Sequence, residues 1–133
     1  MMNRIARVFV LLALFAAAGN AGAETLVREF SGSRSLDTAA FEVRAPWLID
    51  WRVNSDFPQA MGIAVALVDA GTGVHKGRVL KTKSPGNGVR LIDESGSFRF
   101  KVDAAVANWR LKVIQLTEEE AELYTPVGGE ADS

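Results

Sequence analysis

The 133-residue chain contains no cysteine, one histidine and one tyrosine. Without cysteine there is no disulfide, no thiolate metal site, no iron–sulfur cluster and no thiol nucleophile. His75 alone leaves no pair of imidazoles for zinc, and any catalytic triad would hang on that one residue. The formal charge is −1, so no basic excess points to nucleic acid. The longest apolar run, Val8 through Ala18, is eleven residues, short of the roughly 18–20 that a membrane-spanning helix needs. What survives these exclusions is a small globular domain of ordinary single-domain length.

Residues 1–23 have the layout of an export signal. Arg4 and Arg7 precede the apolar run, and Ala21-Gly22-Ala23 offers small side chains to a peptidase. Cleavage is predicted between Ala23 and Glu24. Glu24 stands where a lipidated protein would carry cysteine, so no lipid anchor is expected and the mature protein should be periplasmic or extracellular. Removing Arg4 and Arg7 takes the basic side chains from 15 to 13 against 16 acidic ones, a formal −3. Six of those acids (Glu118, Glu119, Glu120, Glu122, Glu130 and Asp132) lie at the end of the chain, so residues 24–117 carry 13 basic and 10 acidic groups, a formal +3. The expected organisation is a signal peptide over 1–23, a folded domain over 24–117 and an acidic, partly disordered tail over 118–133. Such a domain must be held by packing alone.

Apolar and polar residues alternate with period two along most of the mature chain, as half-buried strands require. Trp47, Ile49, Trp51 and Val53 fall on one face of a strand, with Asp50 and Arg52 on the other. Phe98, Phe100 and Val102 alternate with Arg99 and Lys101, and Trp109, Leu111 and Val113 alternate with Arg110 and Lys112. Shorter strands are expected at 25–30, 39–44, 78–83 and 88–93, the last two reading as a pair around Ser84-Pro85-Gly86-Asn87-Gly88. The run 61–68 is apolar on both faces and suits an inner strand. Roughly eight short strands separated by turn signals predict an all-β fold, an antiparallel β-sandwich of jelly-roll or immunoglobulin-like type with about 7–8 strands. Thr117 and Glu120 have capping-box spacing, but the acidic stretch 117–124 reads better as a frayed end, with disorder from Val127 onward.

Trp47, Trp51 and Trp109 could form a platform for sugar rings. Their alternation with charged neighbours instead assigns Trp51 and Trp109 to the core, with Trp47 at a strand's mouth less determined. The candidate ligand-binding residues are Arg99, Lys101, Arg110 and Lys112. If 97–103 and 108–114 form a hairpin through 104–107, these four share one wet face, where like charges on neighbouring strands repel. An anionic envelope component or an acidic protein partner would offset that repulsion. The bland alternative is a solubilising face with Glu118–Glu122 folded back beside it.

The other constellations are weaker. Asp69 and Asp93-Glu94 precede glycine-rich turns, as calcium-binding loop acids do, but the chain has no D-x-D-x-D-G run and no metal or cofactor is expected. His75 with Ser84 or Ser95 can be drawn as a triad, giving the alternative of a secreted hydrolase, yet there is no G-x-S-x-G elbow and no catalytic residue is assigned. Gly86-Asn87-Gly88 is not followed by a helical pattern and reads as a turn rather than a phosphate loop.

Phe30-Ser31-Gly32, Thr38 to Val43, Trp47 to Trp51, Val65 to Asp69, Gly86 to Gly88, Gly96 to Val102 and Trp109 to Val113 together form a recognisable layout. It resembles that of a loosely related group of small secreted bacterial β-sandwich domains and, more distantly, the sandwich modules appended to secreted peptidases. The resemblance implies the fold and transfers no catalytic residue. The resulting expectation is an exported, non-catalytic binding module of the cell envelope, with a structural subunit of a larger envelope assembly as a further alternative.

Overall fold

Residues 24–124 are described by a computed structural model. The expected export signal over 1–23 and the end of the chain from Thr125, with the disorder expected from Val127 onward, lie outside the described residues. Among the described residues nine strands form in chain order: β1 (Thr25–Gly32), β2 (Leu36–Asp37), β3 (Phe41–Val43), β4 (Trp47–Asn54), β5 (Gly62–Asp69), β6 (His75–Thr82), β7 (Gly86–Ile92), β8 (Gly96–Ala105) and β9 (Asn108–Gln115). A 3-10 turn at Pro58–Ala60 links β4 to β5, and a short helix α1 (Glu118–Glu122) follows β9. One sheet runs β1-β9-β4-β7; the other runs β2-β8-β5-β6, with β3 also paired to β8. Every pairing is antiparallel. The expected antiparallel sandwich is the observed fold.

The period-two pattern explains why the two sheets face each other. Each strand presents its bulky apolar set to one side, and only another such face can dry it. Trp47 from one sheet stacks on Phe98 from the other at 5.7 Å between ring centroids and meets Phe41 edge-on at 5.6 Å. Phe30, on β1, reaches across to Phe41 and Phe100 at 6.0 Å each. Trp47 and Trp109 are buried, and their indole N–H groups donate to the carbonyls of Glu94 (2.9 Å) and Arg34 (3.0 Å). Trp51 is half-buried against the same core. Two glycines on the edge strands make room for these rings: a Cβ at Gly88 would lie 2.8 Å from Trp51, and one at Gly32 2.9 Å from Trp109.

Two connections differ from the sequence expectation. Strands β8 and β9 do not form a hairpin; they belong to different sheets, and the chain between them crosses from one to the other. Ala107 is buried, and Val106 takes a left-handed φ of 54° while its carbonyl accepts a 2.6 Å hydrogen bond from Ser55 Oγ. A tight hairpin needs Gly, Asn or Asp at its turn, and Ala104–Ala107 has none. Likewise β6 and β7 do not pair: Ser84-Pro85 carries the chain over the edge of the sandwich from one sheet to the other.

The end of the domain also departs from the frayed expectation. Thr117 Oγ1 accepts from the Glu120 N–H (3.1 Å) while the Glu120 carboxylate accepts from the Thr117 N–H (2.9 Å), a complete capping box. Three acids in the first turn suit the positive end of the helix. Helix α1 lies over an apolar end of the first sheet's outer surface, burying Ala121 with Leu48, Ile114 and Leu116, beside Leu91 and Tyr124. The Tyr124 hydroxyl donates to the Glu24 carboxylate, and that bond, together with burial and nearby acids, pushes the phenol up to about 12. Gln115 ties the β3–β4 turn to the end of β9, donating to the carbonyls of Arg44 (2.6 Å) and Pro46 (3.0 Å) and accepting from the Arg44 N–H (3.0 Å).

Two stability predictions follow from the core and the crossing. Trp47→Ala removes the ring that bridges the sheets and should cost about 3–5 kcal/mol in urea unfolding; a loss under about 1 kcal/mol would contradict the packing. Val106 is a β-branched residue in a conformation that suits Asn far better. Val106→Asn should therefore raise stability by roughly 0.5–1 kcal/mol, read as a higher Tm.

Candidate functional site

Because β8 and β9 lie in opposite sheets, the four cations expected to share a face are divided. Arg99 and Lys101 lie on the outer surface of the β2-β8-β5-β6 sheet, and Arg110 and Lys112 on the outer surface of the β1-β9-β4-β7 sheet. The single four-residue patch does not exist. Each pair keeps its own neighbours, so each outer surface is a separate candidate.

On the β8 side, the strand register builds three cross-strand rows over β5. Arg99 and His75 flank Val68, Lys101 and Arg78 flank Ala66, and Asp103 and Lys81 flank Ala64. The side chains in the middle of the rows are small, so longer ones on β6 and β8 stand up on both sides. The result is an open groove of about 560 Å³, lined by Ala64, Ala66, His75, Arg78, Lys81 and Lys101 among others. Lys101, Arg78 and Lys81 are exposed and belong to none of the ion pairs among the described residues. Arg99 is half-buried and donates to the Ala70 carbonyl at 3.4 Å. Of the sequence candidates, then, Lys101 stands in this groove and Arg99 at its end. Sequence reasoning missed Arg78 and Lys81. Their signal was weak, because a bulge opposite Val65 and Ala66 interrupts the alternation of β6.

On the β9 side, Lys112 is half-buried in register between Glu29 on β1 and Asp50 on β4. Arg110 Nε lies 3.3 Å from the Glu29 carboxylate, and Arg52 Nε lies 4.0 Å from Asp50 Oδ1. The acids that offset this surface come from neighbouring strands rather than from residues 118–122, whose helix sits at the apolar end of the same sheet.

The remaining candidates are engaged elsewhere. Asp69 Oδ1 accepts from the backbone N–H of Gly71 (2.9 Å) and Thr72 (2.9 Å) and from the Thr72 hydroxyl (3.1 Å), closing its own turn. Glu94 pairs with Lys76 at 2.8 Å, a contact that raises the ammonium group above its ordinary range. Ser95 Oγ accepts from the Ala45 N–H at 2.7 Å, and Ser84 is bonded to Thr82. His75 faces the groove opposite Val68 and has no hydrogen bond to either serine. Among the described residues no three acids or histidines gather as a metal site would require, and no helix is long and apolar enough to cross a membrane.

The hydrogen bonds from Thr72, with a lesser one from Gly71, hold the Asp69 carboxyl below its ordinary value of 3.8. A depressed pKa in the folded state means the turn gains from ionised Asp69 above pH 3.8 and loses that gain as pH falls through the lower folded value. The Gly71 and Thr72 amide resonances should therefore titrate with a midpoint under 3.8. A midpoint at or above it would contradict the turn geometry.

No protein-family model matches the chain, and no curated protein matches it. Among solved structures, the chain is similar to a carbohydrate-binding module from Cellvibrio mixtus lichenase 5A, solved in complex with cellotriose. The two share 15% sequence identity with a TM-score of 0.36, over 68% of this chain and 86% of that one.

Proposed function

We propose that this protein is an exported, non-catalytic binding module that holds an anionic envelope component in the groove over β5. The observation that carries this reading is the cross-strand row Lys101–Ala66–Arg78, with Lys81 beside it and no ion pair to any of the three cations. Two unpaired cations separated by two strand spacings, roughly 10 Å, leave a slot wide enough for a ligand over small side chains. Among the described residues Asp103 is the one acid lining the slot, so the local charge is positive even though the mature chain is predicted to be net acidic. Such a surface attracts and holds anions in a salt-dependent way. Arg99 extends the positive rim toward the Asp69 turn. Arg110 and Lys112, on the opposite surface, take no part in this groove.

The test uses dextran sulfate as a soluble polyanion and vesicles with and without anionic lipid. The protein should bind the polyanion or the anionic vesicles at low salt and release them at high salt. Lys101→Glu combined with Arg78→Glu should weaken binding at least tenfold, while Lys112→Glu leaves it unchanged. Retention that ignores salt, or an equal loss from Lys112→Glu, would overturn the assignment to this groove.

A further inference from the structure

The opposite surface carries a second constellation, independent of the first. Across the β1-β9-β4-β7 sheet, one row reads Ser31–Arg110–Arg52–Asn87, and the next toward the sheet's end reads Asn108–Asn54. All six residues are exposed and line one open cleft of about 720 Å³. Arg52 and Arg110 are direct cross-strand partners, an arrangement of like charges that is unfavourable by itself. The row behind supplies the offset: Glu29 and Asp50 each approach an arginine through its Nε. That leaves the Nη nitrogens of both arginines without a protein acceptor among the described residues. Nε is the atom of each guanidinium nearest its carboxylate, so the ion pairs at 3.3 and 4.0 Å leave the Nη donors of both exposed arginines, which line the cleft, available to a ligand.

We infer that this cleft is a binding site for a hydroxylated oxyanion, an acidic sugar unit whose charged group bridges Arg52 and Arg110. Two free guanidinium edges side by side match the oxygens of a carboxylate or a phosphate, which accept in pairs from such forks. The surrounding amides match hydroxyl groups. Asn54 and Asn108 are joined by one 3.3 Å bond from Nδ2 to Oδ1, which leaves a donor on Asn54 and an acceptor on Asn108. Asn87 and Ser31 have no side-chain hydrogen bond within the described residues and stand at either end of the arginine row. Both donors and acceptors thus flank the charged pair, the kind of placed polar groups that fix a hydroxylated ligand. The floor is stiff: Gly32, beside Ser31, leaves room for the buried Trp109 indole, whose N–H is tied to the Arg34 carbonyl. This site and the groove over β5 are on opposite outer surfaces, so the chain can hold two ligands at once.

The experiment is an NMR titration of the uniformly labelled folded chain with trigalacturonate, with glucose 6-phosphate, and with neutral maltotriose. At least one acidic probe should bind at millimolar concentration and shift the side-chain amide signals of Asn54, Asn87 and Asn108, while maltotriose leaves them unmoved. Trigalacturonate alone identifies a carboxylate ligand and glucose 6-phosphate alone a phosphate. Arg52→Gln or Arg110→Gln should weaken binding roughly tenfold, the loss expected when a charged partner of an oxyanion is removed. Glu42→Gln, exposed on β3 of the other sheet and outside both sites, should change nothing. Each variant's spectrum outside the cleft reports that it is folded. Absence of binding by both acidic probes, equal binding of maltotriose, or unchanged affinity in both arginine variants would overturn the inference.

Discussion

The contact of Trp47 with Phe41 and Phe98, joined by Phe30 and Phe100, is where the two sheets are held together. With no disulfide to staple the chain, this inter-sheet aromatic packing and the apolar residues around it must supply the stability. It also sets the outside. Once Phe98, Phe100 and Val102 point inward on β8, Arg99 and Lys101 can only point outward; the same holds for Arg110 and Lys112 once Trp109, Leu111 and Val113 are inside on β9. The cationic surfaces are thus a consequence of core packing, and their separation follows from which sheet each strand joins.

Strand positions were legible because the period-two pattern depends only on which side of a strand is dry. Trp109 and the Phe98–Val102 set are found where alternation puts them, and the fold class follows from them. Partnership was less legible. Alternation says which residues face inward but not which strand lies alongside, so β8 and β9, adjacent in sequence and equally amphipathic, looked like a hairpin. The corrective signal was present in Ala104-Ala105-Val106-Ala107, which lacks any residue at ease in a hairpin turn. From sequence, helix α1 reads as a frayed end although its capping-box spacing is visible; what decides for the helix is its packing on Leu48 and Ile114, which alternation alone leaves at outward positions. Strand β2, two residues long, has no periodicity to read.

The candidate sites were legible only in part. Lys101 and Arg110 are each one member of a constellation completed by residues from strands far away in sequence: Arg78 and Lys81 for the first, Arg52, Asn54 and Asn87 for the second. Register assembles these sets. Gly32 and Gly88 illustrate the same point, since their spacing in sequence suggests turns, whereas their place in the sheet shows them as seats for Trp109 and Trp51. The picture is of a rigid core presenting two unlike outer surfaces, one a cationic slot over small side chains, the other an arginine pair ringed by amides.

The absence of native cysteine makes the central geometric claim open to a direct measurement. Cysteines introduced at Lys101 and Arg110 accept spin labels at those two positions alone, and pulsed electron paramagnetic resonance reads the distance between them. With sheets about 10 Å apart and labels projecting from opposite outer surfaces, the account predicts a separation of roughly 20 Å or more. If the two residues were partners in a hairpin, their backbones would be about 5 Å apart and the labels would couple at short range. That result would contradict the two-surface arrangement.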